Sequence, residues 1–257
     1  MSFKKTLYLN SKKAIGGKSE NFSVYYNPPI MLDYNKQYEI GLDSCNLWYS
    51  WYNISTALGN NIFKYHNGTA WSSITIPDGS YNIDDLNSTI KELIDIGEKT
   101  LEEEDVTKKA SANITMKANY NTLKVEITLK NGYQIDFTDD VGRIRLLLGF
   151  DEKKLKKNGV YVGENPVNIT NVSTVYIHCS LVDSAYENST SSGVIYAFSP
   201  NVPPGYQIQI QPYSINWLPL QGINNIPKIQ MRITNQDGVE VELNNETVTY
   251  TLRIREV

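Results

Sequence analysis

The sequence contains few of the residues that build catalytic and metal sites. Its 257 residues include two cysteines, Cys45 and Cys179, and two histidines, His66 and His178. Neither pair has the C-x-x-C or H-x-x-x-H spacing of a zinc site, so the sequence gives no indication of bound zinc. Both cysteines lie in strand-like runs, and we therefore predict two buried, reduced thiols and no disulfide.

Long apolar runs and a strong net charge are also missing. No run approaches the roughly 18–20 apolar residues that span a bilayer. The first residues, Met1-Ser-Phe-Lys-Lys, lack the apolar segment of a signal peptide. We therefore expect no membrane span and synthesis in the cytoplasm. The net charge of -4 is mild, which makes nucleic acid an unexpected partner for the chain as a whole.

Short strand-like segments make up most of the chain. Alternation of apolar and polar residues predicts half-buried strands at 38–43, 123–130 and 206–211, and a terminal strand is predicted at 247–255. The alternation is lost over 47–54, where we expect a strand packed on both faces. Asn-Gly pairs at 67–68 and 131–132 predict two hairpins, one over 62–76 and one over 123–137. The sequence Pro203-Pro-Gly-Tyr206 fits a type II turn with Gly205 at the position that needs positive φ.

One long helix interrupts this β pattern. Asn82 is a suitable N-cap, and Asp84 and Asp85 fall in the first turn, where carboxylates favour the helix dipole. A shorter apolar helix is predicted within 141–150. The long helix spans 82–95, with apolar residues at helical spacing at Ile83, Leu86, Ile90, Leu93 and Ile94.

These segments predict a mainly β protein. Many short strands joined by tight turns and long loops favour a single jelly-roll sandwich. The long helix and the two hairpins form an α+β subdomain inserted into it. We place the sandwich at residues 1–61 with 160–257, and the inserted domain at 62–159.

The histidines and cysteines do not form an evident catalytic group. His178 and Cys179 are neighbours in one predicted strand, so their side chains point to opposite faces. Cys45 together with His178 remains geometrically possible. His66 falls in a predicted hairpin turn and is most simply a solvated residue. We predict no catalytic residue, no cofactor and no metal site.

Two charged clusters have simple structural explanations. Asp136, Asp139 and Asp140 lack the register of a calcium loop, and capping of a strand end is the alternative to a bound cation. The basic cluster Lys153–Lys157, with Arg143 and Arg145 nearby, is most simply a solvated surface. The remaining alternative is contact with nucleic acid or with an acidic partner.

Aromatic and amide residues are the candidate interface residues. Trp48, Tyr49, Trp51 and Tyr52 fit core packing, a subunit interface or a sugar-stacking platform. A strand face that carries Gln207, Gln209 and Gln211 is polar but uncharged. Such a face can be covered by a neighbouring subunit without burying an unpaired charge, or it can be solvated surface.

Six stretches, taken in order, carry a family resemblance. The chain resembles the penton, or vertex, capsid proteins of the Maverick/Polinton, adintovirus and virophage group. The charged segment 99–111 and the lysine-rich 153–157 carry none of this likeness. The stretches are FSVYYNPP (22–29), YEIGLDSCNLWYSWYNI (38–54), IPDGSY (76–81), YNTLKV (120–125), LLLGF (146–150) and SPNVPPG (199–205).

The resemblance implies a structural protein of the virion that has no enzymatic activity. It implies a homopentamer that forms the five-fold vertices of an icosahedral capsid, beside a double jelly-roll major capsid protein. The inserted domain would face outward and present a surface for a host receptor or a fibre. Two rival classes remain at this stage. One is an attachment or carbohydrate-binding protein of the fibre or lectin-like kind, using exposed aromatics and the Asp136–Asp140 cluster; the other is an enzyme that uses Cys45 or His178.

Overall fold

The chain divides into two units. The computed structural model describes residues 4–99, 110–138, 143–183, 185–187, 190–220 and 224–257. The first unit comprises Met1–Trp51 and Val172–Val257, and the second comprises Tyr52–Asn171. In chain order the elements are β1 (Lys4–Asn10), β2 (Gly17–Lys18), β3 (Asn21–Met31) and β4 (Tyr38–Trp48) of the first unit; β5 (Ile62–His66), β6 (Trp71–Thr75), α1 (Ile83–Lys99), β7 (Ile114–Asn119), β8 (Lys124–Leu129), β9 (Gln134–Asp136), α2 (Ile144–Leu148), β10 (Lys154–Leu155) and β11 (Gly159–Val162) of the second; then β12 (Val175–Cys179), β13 (Ala185–Glu187), β14 (Thr190–Ser192), β15 (Val194–Phe198), β16 (Gln207–Ile210), β17 (Leu218–Leu220), β18 (Asn225–Asn235) and β19 (Thr249–Glu256) of the first.

Strand order identifies the first unit as a jelly roll. One sheet has the order β1-β19-β4-β16, with β17 also beside β4, and the other has the order β15-β12-β18-β3-β2. The eight principal strands are β1, β3, β4, β12, β15, β16, β18 and β19. The first of these pairs with the last, β1 with β19, and the next pairs inward are β3 with β18, β4 with β16 and β12 with β15. All four pairs are antiparallel. A ribbon of four such pairs folded into two sheets is a jelly roll. The predicted fold class is confirmed.

Alternating side chains of both sheets form one core. In β4, for example, Ile40, Leu42, Cys45 and Leu47 are buried, and they belong to the same apolar cluster as Ile229, Met231 and Ile233 of β18 in the other sheet. Fully burying an aliphatic side chain of this size stabilises a fold by roughly 1.5–3 kcal/mol. The core also holds both cysteines, which are free and buried as the sequence predicts.

Two local predictions for the first unit are settled by the structure. The expected type II turn is confirmed, since Gly205 has φ 85° and Tyr206 N donates to Pro203 O at 3.3 Å. The expected strand over 47–54 is wrong, because β4 ends at Trp48. Strand β3 runs through Pro28 and Pro29. The register with β18 shifts at this point, so the missing proline N–H groups fall where regular ladder bonds are interrupted.

Helix α1 organises the second unit. The Asn82 Oδ1 accepts a hydrogen bond from Asp85 N at 2.8 Å, which is the predicted N-cap. Its apolar stripe is buried in a cluster of its own, which includes side chains of β5, β7 and β8. The Asn87 Oδ1 also accepts from Met116 N at 2.8 Å, so the helix is hydrogen-bonded to β7. In the described part of the chain, no helix has both the length and the apolar character needed to cross a membrane.

The second unit has two sheets, and one predicted hairpin is misplaced. The orders are β10-β9-β5-β6 and β11-β8-β7. Hairpin β5–β6 is confirmed around Asn67-Gly68. The hairpin expected over 123–137 is wrong, because β8 pairs with β7 and β11, whereas β9 pairs with β5 and β10 in the other sheet. The turn at Asn131-Gly132 does form, but after it the chain leaves the sheet that contains β8. The predicted short helix corresponds to α2.

The boundaries of the inserted unit lie further out than 62 and 159. The backbones of Ile54 and Gly79 form an antiparallel bridge, and the Ile54 side chain is buried in the second unit's core. Strand β11 belongs to the sheet of β8, and Ile169 packs against the same core. Residues 52–61 and 160–171 therefore group with the α+β unit.

Candidate assembly surface

The outer face of the first sheet carries a continuous group of uncharged side chains. Cross-strand partners of an antiparallel sheet point to the same face, and the alternate residues Leu7, Leu47, Ile208 and Tyr250 point into the core. Their outward neighbours form three rows across the sheet. We call this set the neutral face: Tyr8, Thr251 and Ser44 in one row, Asn10, Thr249, Asn46 and Gln209 in the next, and Trp48 with Gln207 in the third.

Charged residues occupy the other end of the same sheet. Arg253 Nη2 lies 3.0 Å from Asp43 Oδ2, and Arg255 Nη2 lies 2.7 Å from Glu39 Oε2. The Arg255 guanidinium also lies 4.1 Å from the ring centroid of Trp217. The outer face thus changes from neutral to ion-paired along the strands.

The neutral face has the chemistry of a surface that another protein can cover. Its hydroxyls and amides already bond one another, as in Ser44 Oγ to Thr251 Oγ1 at 2.9 Å and Gln209 Nε2 to Gln207 Oε1 at 3.1 Å. Covering such groups removes no charge from water, and this avoids the largest cost of burial. Tyr8 is 80% exposed and Trp48 is 39% exposed, so the face also offers the aromatic side chains that interfaces favour.

The four predicted aromatics do not act as one cluster. Trp51 is 3% exposed, and its ring stacks on Tyr49 with centroids 4.1 Å apart, so both belong to the sandwich core. Trp48 points outward on the neutral face. Tyr52 is 38% exposed and belongs to the second unit. Core packing accounts for two of the four, and Trp48 is the member placed on the candidate surface.

A polar pocket of about 420 Å³ lies on the second sheet, beside His178. The ring Nε2 of His178 lies 2.9 Å from Thr234 Oγ1. Burial, with the nearby Arg232 charge, lowers the pKa of His178 to about 4, so this histidine is neutral at pH 7. The walls of the pocket also include Asn21, Gln230 and Glu240.

The two cysteine thiols are poor nucleophiles. Burial raises the pKa of Cys179 to about 11 and raises the pKa of Cys45 further, so both thiols stay protonated at neutral pH. Cys179 pairs across the sheet with buried Met231, whereas His178 pairs with Arg232. The two side chains therefore lie on opposite faces of the sheet, as the sequence predicts.

The predicted charged clusters are structural where they are described. Asp136 Oδ2 lies 2.8 Å from Lys154 Nζ, and Asp136 Oδ1 accepts from Thr138 Oγ1 at 2.6 Å. Burial alone would raise the pKa of Asp136, but the hydrogen bonds from Lys154 and Thr138 outweigh it and lower the pKa to about 2. Asp139 and Asp140 lie outside the described residues. Within the residues that are described, no group of three or more potential metal ligands occurs.

One other sequence interpretation needs correction. His66 is the last residue of β5 and not part of the turn, since it pairs with Trp71 and Gln134. The lysine cluster lies at the surface, as expected, with Lys154, Lys156 and Lys157 exposed. Lys153 forms an ion pair with Glu164, and Lys154 forms one with Asp136.

Comparisons with known proteins found matches among solved structures. No family model matches the sequence, and no curated protein matches it. Among solved structures, the chain is similar to the mavirus penton protein, with 13% identity, a TM-score of 0.48, and coverage of 98% of this chain and 100% of that one. It is also similar to a chain of the Sputnik virophage structure, with 12% identity, a TM-score of 0.42, and 98% of each chain covered.

Proposed function

We propose that this chain is a non-enzymatic capsid protein that forms the five-fold vertices of an icosahedral virion as a homopentamer. The virion is then its location, and the host cytoplasm is where it is made and assembled. The family resemblance of the sequence supplies the class of protein. The observation in the structure that supports assembly is the neutral face.

The neutral face fits a closed ring of identical subunits. In such a ring each subunit uses two different surfaces, one toward each neighbour, and rotation closes the ring. An obligate contact of this kind buries on the order of 2,000 Å² or more. The neutral face supplies one such surface. It extends across the whole sheet, from edge strand β1 to edge strand β16, and the exposed side chains of Tyr8 and Trp48 project from it.

A vertex protein also needs partners beyond its own copies. We propose that the homopentamer sits beside a double jelly-roll major capsid protein. The second unit enters the jelly roll between its third and fourth strands, β4 and β12. An insertion at a loop between strands adds a domain without breaking either sheet. We propose that this unit faces outward, where a host receptor or a fibre can reach it.

The test combines an assembly measurement with a change of charge. Mass photometry and electron microscopy of the purified protein, alone and with the major capsid protein, should show five-fold rings. Gln209→Lys places a charge in the middle row of the neutral face, on the edge strand β16. Because an unpaired charge buried in an interface costs several kcal/mol, we expect ring formation to fall at least about tenfold while the monomer stays folded.

The matched control is Gln37→Lys, at an exposed glutamine outside the neutral face. This variant should assemble like the unmodified chain. Monomers or trimers under every condition, with no five-fold ring and no place at the particle vertices, would sink the proposal. Rings formed equally well by Gln209→Lys would reject the neutral face as the contact, but would leave vertex formation intact.

A further inference from the structure

An exposed tryptophan lies on the outer face of the sheet β10-β9-β5-β6 in the second unit. Phe63 and Tyr65 of β5 point into the core, so Lys64 and His66 point the other way. Trp71 is the cross-strand partner of His66 and is 41% exposed. At the opposite edge of the sheet, Lys154 is the partner of Asp136.

Two ammonium groups lie near the indole of Trp71. Lys64 Nζ is 5.8 Å from the ring centroid, and Lys154 Nζ is 5.7 Å from it. The His66 ring meets the indole edge-on, with centroids 5.2 Å apart and planes at 72°. Since Trp71 is in β6 and Lys154 is in β10, the indole brings together residues from the two edges of a four-stranded sheet.

An ion pair fixes the position of Lys154. Lys154 is ion-paired at 2.8 Å with Asp136, a buried carboxylate that also accepts two hydrogen bonds from Thr138. This carboxylate offsets part of the positive charge on the face. An ammonium attracted to an aromatic ring and fixed by a buried partner has little freedom left to lose when a ligand binds.

We propose that this face binds an acidic polysaccharide. The C–H face of a sugar ring packs on an indole through dispersion and apolar contact, and a sulfate or carboxylate on the sugar accepts charge-assisted hydrogen bonds from the two ammonium groups. Neutral Gln134 and Ser73, which point to the same face as the partners of His66 and Lys64, provide donors and acceptors for sugar hydroxyls.

A single-stranded nucleic acid would also offer rings and negative charge. Proteins that bind it use a series of aromatic side chains along a positively charged groove. This face has a single indole among its described residues. One stacking site with two ammonium groups near it therefore favours a polymer of acidic sugars, whose binding needs one aromatic platform and scattered cations.

The experiment uses the full chain and immobilised heparin, a sulfated uronate polymer, with binding followed by biolayer interferometry. Trp71→Ala should weaken binding at least about tenfold, because truncating a central aromatic contact typically removes more than about 1.4 kcal/mol. Lys64→Gln should weaken binding and reduce the slope of log Kd against log salt, since one ionic contact is lost. Trp71→Phe should retain most of the affinity.

Two matched controls separate this face from general surface effects. Tyr120→Ala removes an aromatic that is 79% exposed, from the turn between β7 and β8, and Lys117→Gln removes a cation from β7. Neither should change heparin binding. Thermal unfolding of each variant checks that it is folded. If Trp71→Ala is unfolded, the Lys64→Gln variant still tests the proposal.

Three outcomes overturn the proposal. They are no binding of the unmodified chain to heparin, equal binding by Trp71→Ala and Tyr120→Ala, or binding to a polythymidine oligonucleotide that is tighter than binding to heparin and equally sensitive to Trp71→Ala. The measurement is made on monomers as well as on rings. Failure to bind heparin therefore leaves vertex formation standing, and failure to form rings leaves the polysaccharide site standing.

Discussion

Single residues of the sandwich make its stability depend on pH, and His178 is the clearest case. Its ring is buried next to the Arg232 guanidinium, and its pKa is about 4 in the folded protein against 6.5 for the unperturbed side chain. The unfolded chain therefore binds a proton between these two values that the folded protein does not bind. Glu240, the carboxylate in the walls of the same pocket, does not reverse this effect.

We expect the free energy of unfolding to fall as the pH is lowered from about 6.5 to about 4, and this contribution to level off below that. The full loss from one histidine is about 3 kcal/mol. Urea denaturation at closely spaced pH values measures it. His178→Gln cannot be protonated and should lose most of this slope; the same slope in both proteins would show that other groups set the pH dependence.

Aromatic residues show what a sequence can and cannot reveal at this scale. The sequence does not distinguish Trp48, Tyr49, Trp51 and Tyr52 from one another. All four are aromatic, and the segment has no regular apolar period that would separate core positions from surface positions. The end of β4 at Trp48 determines which of these side chains lie in the core and which lie at the surface. Trp71 was missed for a different reason, because Lys64, His66 and Lys154 come near it only after four strands pair.

At the scale of elements, local signals were sufficient for α1 and insufficient for β9. The helix has its cap, its first-turn carboxylates and its apolar period within twenty or so residues, and all of them agree. The turn at Asn131-Gly132 was equally clear, but a turn fixes only the change of direction. The partner of β9 is β5, some 70 residues earlier in the chain, and tertiary packing of Ile135 and Tyr65 in one core selects it.

The end of α2 provides a sharp test of element geometry. Gly149 has φ 75°, and a Cβ there would lie 2.3 Å from the Asn165 carbonyl oxygen. Gly149→Ala therefore combines left-handed strain with a backbone clash, and we expect a loss of about 2–4 kcal/mol in denaturant unfolding. Gly97→Ala, inside α1 with no atom within 4 Å of the new Cβ, should stabilise by up to about 1 kcal/mol. A smaller loss for Gly149→Ala than about 1 kcal/mol would contradict this account.

At the scale of the whole molecule, strand content and turn chemistry were enough to predict a jelly roll with an insertion. The boundaries needed the structure, because residues 52–61 and 160–171 carry no helical or strand period strong enough to assign them. The neutral face was visible in part through Gln207 and Gln209. Its other members come from β1, β4 and β19, whose register no local pattern reveals.

The division into units predicts the outcome of a deletion. We expect replacement of residues 52–171 by a short Gly-Ser linker to leave a folded sandwich, because Trp51 and Val172 both belong to the sandwich core. The shortened protein should unfold cooperatively, and hydrogen exchange should show a core of protected backbone amides. A protein in which only residues 62–159 are replaced should be less stable than the first, since the apolar Ile54 and Ile169 remain without the core they pack in. An unfolded product from both deletions would refute the two-unit division.

The pairing of the first principal strand with the last has a consequence for synthesis. Strand β1 leaves the ribosome early, but its hydrogen-bonding partner β19 follows more than 200 residues later. The α+β unit is complete by residue 171 and can fold while the sandwich still waits for β18 and β19. Contacts between such distant segments form slowly, and until then the apolar sides of β1, β3 and β4 stay open to other chains. In the proposed assembly, copies can therefore associate correctly only after translation of β19, because the sheet that carries the neutral face is incomplete until then.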